Sequence, residues 1–185
     1  VLTEKLEADY WKPIQSGDLE ESDTIKVRNL ISNKKTCFHE ERYRLSAPLS
    51  PHLSARLDHI DINLQDFVLP KTENQLLIEG AGGLMVPLND RALIIDLIAY
   101  LKAEVILVSQ HYLGSINHTL LSIELLKARG IAIKGIIFNG ENAESERYII
   151  QYSKVRKLGT LPVLETIDKE HIKKATSSIA DFLSP

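Results

Sequence analysis

The sequence has little sulfur and few aromatic residues. Its 185 residues include one cysteine, one methionine and one tryptophan, and 6% of them are aromatic. Because Cys37 is the single cysteine, an internal disulfide is excluded, and we expect a reducing, cytoplasmic location. No apolar stretch approaches the length of about 18 residues that a transmembrane helix needs. The net charge of −3 argues against a nucleic-acid-binding protein, which would usually be basic.

The sequence does contain short apolar runs that alternate with helical patterns. The clearest apolar runs cover residues 76–79, 104–109 and 135–140, and the clearest helical patterns cover 92–101, 116–128 and 144–153. Continuous apolar strands alternating with helices are typical of a parallel sheet that is covered on both faces. We therefore predict an α/β fold with a three-layer, doubly wound, mainly parallel sheet, and a single domain over residues 1–185.

The remaining elements are shorter or less regular. The pattern predicts helices at 1–6, 22–31, 64–69 and 172–182, and strands at 9–14 and 158–162. Residues 15–17 are predicted to form the loop that leaves the first strand. Pro51 is expected at the first position of another helix, where its missing N–H group costs nothing.

The segment Leu76–Gly83 is the most informative about function. An apolar run ends in one carboxylate, Glu79, and small residues follow it. Open α/β sheets bind ligands at the carboxyl ends of their strands, and glycines let backbone N–H groups approach a phosphate. The alternative is a strand followed by an ordinary glycine-rich turn.

Three further segments that follow predicted strands carry polar side chains, at 12–17, 109–117 and 139–140. Strand-end loops of a parallel sheet converge on one edge, so these residues could form a single site with Glu79. Lys12 offers a point charge for phosphate or carboxylate. Asp23 and Glu79 are oxygen ligands suited to Mg²⁺. The helix start at 114–117 favours an anion such as a carboxylate.

Each of these residues also has a purely structural explanation. Lys12 could be a surface lysine, and Asp23 could be only the acidic residue of a first helical turn. Ser115, Asn117 and Asn139 could merely cap a helix or a turn. The histidines His52 and His118 are expected to make structural hydrogen bonds, since no second histidine or cysteine has metal-ligand spacing.

Taken in chain order, the motifs resemble those of the dethiobiotin synthetase family. The motifs are Trp11-Lys12-Pro13-Ile14-Gln15-Ser16-Gly17, Ser22-Asp23, Ser50-Pro51-His52, Glu79-Gly80-Ala81-Gly82-Gly83, Leu113-Gly114-Ser115-Ile116-Asn117-His118 and Asn139-Gly140. The resemblance runs from about Leu2 to about Leu164. It implies a P-loop NTPase-like fold.

The resemblance also implies a role for each site residue. Lys12 would be the catalytic lysine, and Asp23 and Glu79 would bind Mg²⁺. The residues implied for the diamine substrate, its carbamate and its distal carboxylate are Ser16, Ser115, Ile116, Asn117 and Tyr148. The residues implied for the nucleotide are Asp23, Glu79, Gly80, Ala81, Gly82, Asn139, Gly140, Pro162, Val163 and Leu164. The carboxylate pocket would lie across a homodimer interface.

The reaction implied by the resemblance uses three small molecules: 7,8-diaminononanoate, CO₂ and ATP. The diamine takes up CO₂ as a carbamate, the carbamate attacks the γ-phosphate of ATP, and the second amine closes the cyclic urea of dethiobiotin. Two alternatives are another P-loop protein, such as a cobyrinic-acid-type amidoligase domain, and a non-catalytic binding module with an ATPase fold.

One feature departs from the family. Its members carry a P-loop near the N-terminus, whereas this sequence has no Gly-Lys dipeptide and therefore no Gly-x-x-x-x-Gly-Lys-[Ser/Thr] motif. The sequence opens at Val1, without a methionine, in what looks like the middle of a helix. We expect the natural chain to extend upstream by roughly 20–25 residues that hold a strand and this motif.

Overall fold

The computed structural model describes residues 1–181, in which helices and strands alternate. The helices are α1 (Leu2–Leu6), α2 (Asp23–Leu30), α3 (Pro51–Leu57), α4 (Ile94–Leu101), α5 (Ser115–Ala128), α6 (Ala143–Ser153) and α7 (Lys169–Ala175). The strands are β1 (Asp9–Trp11), β2 (Ile14–Ser16), β3 (Phe38–His39), β4 (Tyr43–Leu45), β5 (Leu76–Ile78), β6 (Val105–Gln110), β7 (Ile133–Asn139) and β8 (Lys157–Leu161). None of these helices is long and apolar enough to cross a lipid bilayer.

The chain divides into two compact units. The first contains Val1–Leu101 and Asp168–Lys173, and the second contains Lys102–Ile167 and the residues from Lys174 onward. Each unit has its own three-stranded parallel sheet, with strand order β3-β1-β5 in the first and β6-β7-β8 in the second, and the first unit also has a two-stranded sheet, β2-β4. These parallel pairings confirm the predicted α/β class. The single domain over residues 1–185 stays a prediction.

The first unit differs from the predicted strand at 9–14. The chain forms two strands there, β1 and β2, which belong to different sheets: β1 pairs with β3 and β5, and β2 pairs with β4. The break falls at Lys12-Pro13, where proline has no N–H group to donate to a ladder. The predicted loop at 15–17 is therefore wrong for Gln15 and Ser16, which pair with Arg44 and Leu45.

The core of the first unit lies around these short strands. Its buried side chains include Trp11, Ile14, Tyr43, Leu45, Phe67, Leu88 and Ile94. The predicted helix at 64–69 is wrong in length, because the structure has only a single 3₁₀ turn at Leu64–Asp66. Phe67 leaves that turn and enters the core, where its ring packs against Tyr43 with the centroids 5.3 Å apart.

The second unit follows the predicted pattern more closely. Strand β7 is central, and its buried residues Ile136 and Phe138 pack with Ile123 of α5 and Ile149 of α6. The predicted helices at 116–128 and 144–153 are confirmed, each beginning one residue earlier than expected. Apolar strands and long amphipathic helices carry the strongest periodic signals, so this agreement is physically reasonable.

The predicted terminal helix at 172–182 is wrong in its bounds. Helix α7 begins at Lys169 and ends at Ala175, and a 3₁₀ turn follows at Thr176–Ser178. Ile179 then forms an antiparallel bridge with Gly159, and the Ala180 N–H group donates to the Leu158 carbonyl at 2.7 Å. These backbone bonds replace helical ones. The last predicted helical residue, Phe182, lies outside the described residues.

A buried carboxylate ties α6 to β8 inside the second unit. The Glu146 side chain is 8% exposed, and it accepts hydrogen bonds from Lys157 Nζ at 2.6 Å and from the Thr160 hydroxyl at 2.8 Å. Burial alone raises the pKa of Glu146, but the donors Lys157 and Thr160 outweigh it and hold this pKa below its usual value. The folded protein therefore stabilises the ionised form.

Replacing Glu146 with Gln is expected to lower the free energy of unfolding by about 2–3 kcal/mol at pH 7. Because the folded-state pKa is lowered, the ionised Glu146 stabilises the protein fully above the unfolded value of about 4.3. This stabilisation is lost as the pH falls through the folded-state pKa. Urea unfolding at pH 7 and at acidic pH measures both effects.

The control for this experiment is Glu144→Gln, in the same helical turn. Glu144 is 80% exposed and pairs with Arg147 on the surface, and such exposed pairs contribute little. The prediction would be contradicted if Glu146→Gln lowered the free energy of unfolding by the same amount at both pH values. It would also be contradicted if this loss were no larger than the loss caused by Glu144→Gln.

Candidate active site

The break between β1 and β2 places Lys12 in the interior of the first unit. Strand β1 ends at Trp11 and β2 begins at Ile14, so Lys12 and Pro13 form the turn from one sheet to the other. Lys12 is 6% exposed. A lysine is almost never this buried without a charged partner. The charged groups that contact Lys12 therefore indicate its role.

The Lys12 ammonium group lies between two carboxylates. Its Nζ atom is 2.5 Å from Asp23 Oδ2 and 2.9 Å from Glu79 Oε1. Burial alone lowers the pKa of Lys12, but the negative charges of Glu79 and Asp23 outweigh burial, and the pKa is raised. Lys12 is therefore a fixed positive charge at neutral pH and is unsuited to act as a base.

Two different elements bring these carboxylates to Lys12. Asp23 is the first residue of α2, where the Ser22 hydroxyl caps the helix by accepting from the Ile25 N–H group. Glu79 follows β5, and its N–H group donates to the Trp11 carbonyl at 2.9 Å. The structure thus brings together the three residues that the sequence analysis assigned to phosphate and metal chemistry.

The two carboxylates suit a magnesium ion that is also bound by phosphate. The side chains of Asp23 and Glu79 are 34% and 44% exposed, so both are partly accessible. Mg²⁺ is commonly held by one or two carboxylates, with phosphate oxygens and waters completing its octahedron. Within residues 1–181, no group of three or more histidine, cysteine, aspartate or glutamate side chains could hold a metal.

Both oxygens of Glu79 have donors. Lys12 contacts Oε1, and the Tyr10 hydroxyl donates to Oε2 at 2.5 Å. Tyr10 is 1% exposed. Burial is the largest cause that raises the pKa of Tyr10, and the negative charge of Glu79 is the next largest. The hydroxyl therefore keeps its proton and remains a donor.

The loop after Glu79 has a geometry that requires glycine at one position. Gly82 has a φ of +81°, and a Cβ atom there would lie 2.9 Å from Val86 Cγ2. A larger residue would be strained both by this φ and by the contact. Gly80 and Gly82 are exposed, so the backbone of this loop is accessible to a ligand.

Ser16 ends β2 with an unsatisfied hydroxyl. Among the described residues, its buried Oγ atom finds no hydrogen-bond partner, and such an orphaned group is costly unless a ligand or water pairs with it. The turn that follows is tight, since Gly17 has a φ of +71° and a Cβ atom there would lie 2.6 Å from Pro48. The geometry suits a substrate-binding role for Ser16, which stays a prediction.

In the second unit, the predicted carboxylate site falls on the first turn of α5. Ser115 is buried, and its N–H group already donates to the Tyr112 carbonyl at 3.0 Å. Ile116 is half-buried and Asn117 is exposed. The N–H groups of the first turn lack helical partners, so Ile116 and Asn117 are better placed than Ser115 to bind an anion.

The predicted adenine-binding residues lie at the ends of β7 and β8. The Gly140 N–H group donates to the Leu161 carbonyl at 2.9 Å, which holds the two strand ends side by side. A Cβ atom on Gly140 would lie 3.9 Å from Val163 Cγ2, so these two residues are neighbours. Asn139, Pro162 and Leu164 adjoin them along the chain, and their role in binding a base stays a prediction.

Tyr148 lies on α6 with half of its surface exposed. Its ring stacks on Tyr152, with the centroids 6.1 Å apart. An exposed tyrosine on a helix can contact either a ligand or another protein. Its role beside Asn117 also stays a prediction.

Comparison with known proteins identifies the family. Residues 1–171 match a family model described as an AAA domain. The ATP-dependent dethiobiotin synthetase BioD of Christiangramia forsetii is 51% identical over 170 residues, covering 92% of this chain and 79% of the relative. The protein of the same name from Cytophaga hutchinsonii is 49% identical over 172 residues, covering 92% and 83%. That from Rhodopseudomonas palustris is 46% identical over 186 residues, covering 98% and 88%.

The chain belongs to the dethiobiotin synthetase family. This membership confirms the resemblance drawn from the motifs and the P-loop NTPase-like α/β fold. All the candidate site residues, from Lys12 to Leu164, lie within the part of the chain that the family model matches.

Two residues beside the predicted site residues were assigned no role from the sequence. Tyr10 carries the hydroxyl that contacts Glu79, and the His111 ring lies 3.9 Å from the position that a Gly140 Cβ atom would take. His111 stacks on Phe138 with an interplanar angle of 5°. Tyr10 lies in no motif, and its only signal in the sequence was its position in an apolar strand. His111 lies in the polar segment at 109–117, but no motif there includes it.

Proposed function

We propose that this chain catalyses the ATP- and Mg²⁺-dependent carboxylation and ring closure of 7,8-diaminononanoate with CO₂, which yields dethiobiotin. The observation that carries the proposal is the buried Lys12 ammonium group between Asp23 and Glu79. The name of the relatives, ATP-dependent dethiobiotin synthetase, supports the same reaction. A cytoplasmic location and small-molecule substrates accord with it.

In this reaction, one amine of the diamine attacks CO₂ and loses a proton, giving a carbamate. The carbamate oxygen then attacks the γ-phosphorus of ATP, and the bond to the ADP oxygen breaks. The second amine attacks the activated carbonyl carbon and expels inorganic phosphate, which closes the cyclic urea. Every step transfers or disperses negative charge, so positioning and charge neutralisation are the main contributions of the protein.

Lys12 supplies a positive charge where the carbamate meets the phosphate. Since its pKa is raised, it stays protonated and stabilises the anionic carbamate and the transferred phosphoryl group. Asp23 and Glu79 would hold Mg²⁺, which neutralises phosphate charge when bound. The orphaned hydroxyl of Ser16 would pair with the diamine or its carbamate.

The nucleotide would contact two groups of residues. The backbone of Gly80, Ala81 and Gly82 would face the phosphates, because the small residues leave the N–H groups accessible. The adenine would lie against the ends of β7 and β8. The residues proposed there are Asn139, Gly140, Pro162, Val163 and Leu164.

The distal carboxylate of the diamine would bind at the first turn of α5, through Ile116 and Asn117, with Ser115 and Tyr148 beside it. We propose that this site is completed in a homodimer. Large apolar side chains exposed on and beside α5 and α6 support this proposal, since such groups commonly mark interfaces. They are Leu113, Leu121, Tyr148 and Tyr152.

The test is turnover by the full chain that the gene encodes, supplied with the diamine, bicarbonate, Mg²⁺ and ATP. Dethiobiotin and ADP are expected in equal amounts, and omission of any reactant should abolish both. An amidoligase would instead require ammonia or glutamine and would leave CO₂ unused. A binding module would bind ATP without diamine-dependent ADP release. Either outcome would overturn the proposal.

Replacing Asn117 with Asp is expected to raise the KM for the diamine about fivefold, because two negative charges then oppose each other at a cost of about 1 kcal/mol. The KM for ATP should stay nearly unchanged. Steady-state kinetics with each substrate varied in turn measures both constants. Ser122→Asp is the control, since it adds the same charge at a partly exposed position further along α5. Equal rises in both KM values would contradict this assignment.

A further inference from the structure

Tyr10 is a buried residue that the proposed reaction does not yet use. Its hydroxyl is 2.5 Å from Glu79 Oε2, whereas Lys12 Nζ is 2.9 Å from Glu79 Oε1. The two donors therefore approach the two oxygens of one carboxylate. Tyr10 is 1% exposed, and its ring packs beside Phe38 with the centroids 5.8 Å apart. The hydroxyl is thus fixed by the core of the first unit.

The two donors restrict the orientation of a side chain that would otherwise be mobile. The terminal torsion of a glutamate is broad, and the Glu79 side chain is 44% exposed. With one donor, the carboxylate could turn about that contact; with a donor on each oxygen, its plane is fixed. A carboxylate oxygen has two lone pairs, so each oxygen retains one for a further ligand.

We propose that Tyr10 is a positioning residue, which holds the Glu79 carboxylate in the orientation that binds Mg²⁺ together with the ATP phosphates. This inference rests on the proposed function of Glu79. Groups that orient metal-binding carboxylates typically affect metal affinity or activity by 10–100-fold when they are removed. A merely structural tyrosine would affect stability and leave the response to Mg²⁺ unchanged.

The chain provides a matched control. Tyr43 is also buried and also donates its hydroxyl to a carboxylate at 2.5 Å, that of Asp66. It belongs to the same unit, but no role in the reaction is assigned to Tyr43 or Asp66. Tyr10→Phe and Tyr43→Phe therefore remove the same group from the same kind of contact, and only the first contact involves a proposed magnesium ligand.

The experiment measures binding of Mg²⁺ with a non-hydrolysable ATP analogue to the full chain, by calorimetry and by the fluorescence of Trp11, next to Lys12. Turnover is measured over the same range of Mg²⁺ concentrations. Tyr10→Phe is expected to raise the Mg²⁺ concentration for half-saturation about tenfold in both measurements. With saturating Mg²⁺, kcat should recover to near the wild-type value. Tyr43→Phe should give the wild-type Mg²⁺ curve.

The outcomes separate this inference from the proposed function. A Tyr10→Phe variant with the wild-type Mg²⁺ curve would overturn the inference, even if the wild-type protein makes dethiobiotin. A wild-type protein without turnover would overturn the proposed function, whereas the binding curves would still test Tyr10. Thermal melting checks that each variant is folded. Tyr10→Met, which keeps an adaptable apolar side chain without a hydroxyl, is a second variant with the same expected shift.

Discussion

Replacing Lys12 with Gln is expected to lower kcat by about 10³-fold, which corresponds to about 4 kcal/mol of transition-state stabilisation. The reason is that Lys12 is the buried cation between Asp23 and Glu79, and glutamine cannot neutralise the charge that develops on the carbamate and phosphoryl oxygens. The fall should appear in single-turnover measurements of dethiobiotin formation, with ATP and diamine both saturating.

The control for Lys12 is Lys134→Gln. Lys134 also pairs with a carboxylate, Glu104, at 3.2 Å, but neither residue belongs to the candidate site. The kcat of the Lys134→Gln variant should equal that of the wild type. A Lys12→Gln variant that retains more than about a tenth of the wild-type kcat would rule out a catalytic role of the size that charge stabilisation usually has.

Replacing Glu79 with Gln is expected to lower turnover by about 10²–10³-fold at ordinary Mg²⁺ concentrations. The substitution keeps the shape of the side chain and removes the charge that a magnesium ion requires. Folding should survive, because the amide oxygen can still accept one hydrogen bond from Lys12 or Tyr10. Turnover over a range of Mg²⁺ concentrations and a thermal melt measure the two effects separately.

Glu104→Gln is the matched control for Glu79, because it removes a carboxylate that pairs with a lysine but has no proposed ligand. Its turnover and Mg²⁺ dependence should match those of the wild type. If Glu79→Gln also had wild-type activity at ordinary Mg²⁺, Glu79 would not be a magnesium ligand.

The sequence supports a prediction about the chemistry of the strand ends because the signal for it is local. A continuous apolar run that stops at a carboxylate and small residues, as at Leu76–Gly83, follows from the burial of a parallel strand and the ligand edge of its sheet. The long helices of the second unit were equally predictable, since their apolar residues recur with the helical period along a continuous stretch of sequence. Elements of two or three residues, such as β3 and β4, carry too few positions for a period to emerge.

The distances between residues of different segments could not be predicted from local sequence patterns. Lys12 and Glu79 are 67 residues apart, and the rule that strand-end loops converge placed them only at the same edge. The structure adds that Lys12 is buried and lies within hydrogen-bond reach of two carboxylates. That geometry raises the pKa of Lys12 and makes it a fixed charge instead of a surface lysine.

The sequence by itself determined the fold class and the family, because periodicity and motifs are properties of neighbouring positions. Only the tertiary structure decided that the chain changes sheets at Pro13, that Ile179 pairs with Gly159 instead of extending a helix, and that the Tyr10 hydroxyl donates to Glu79. Each of these depends on a contact between residues that are distant along the chain. Such contacts produce no periodic pattern in the sequence, because they form only when the rest of the fold brings the two segments together.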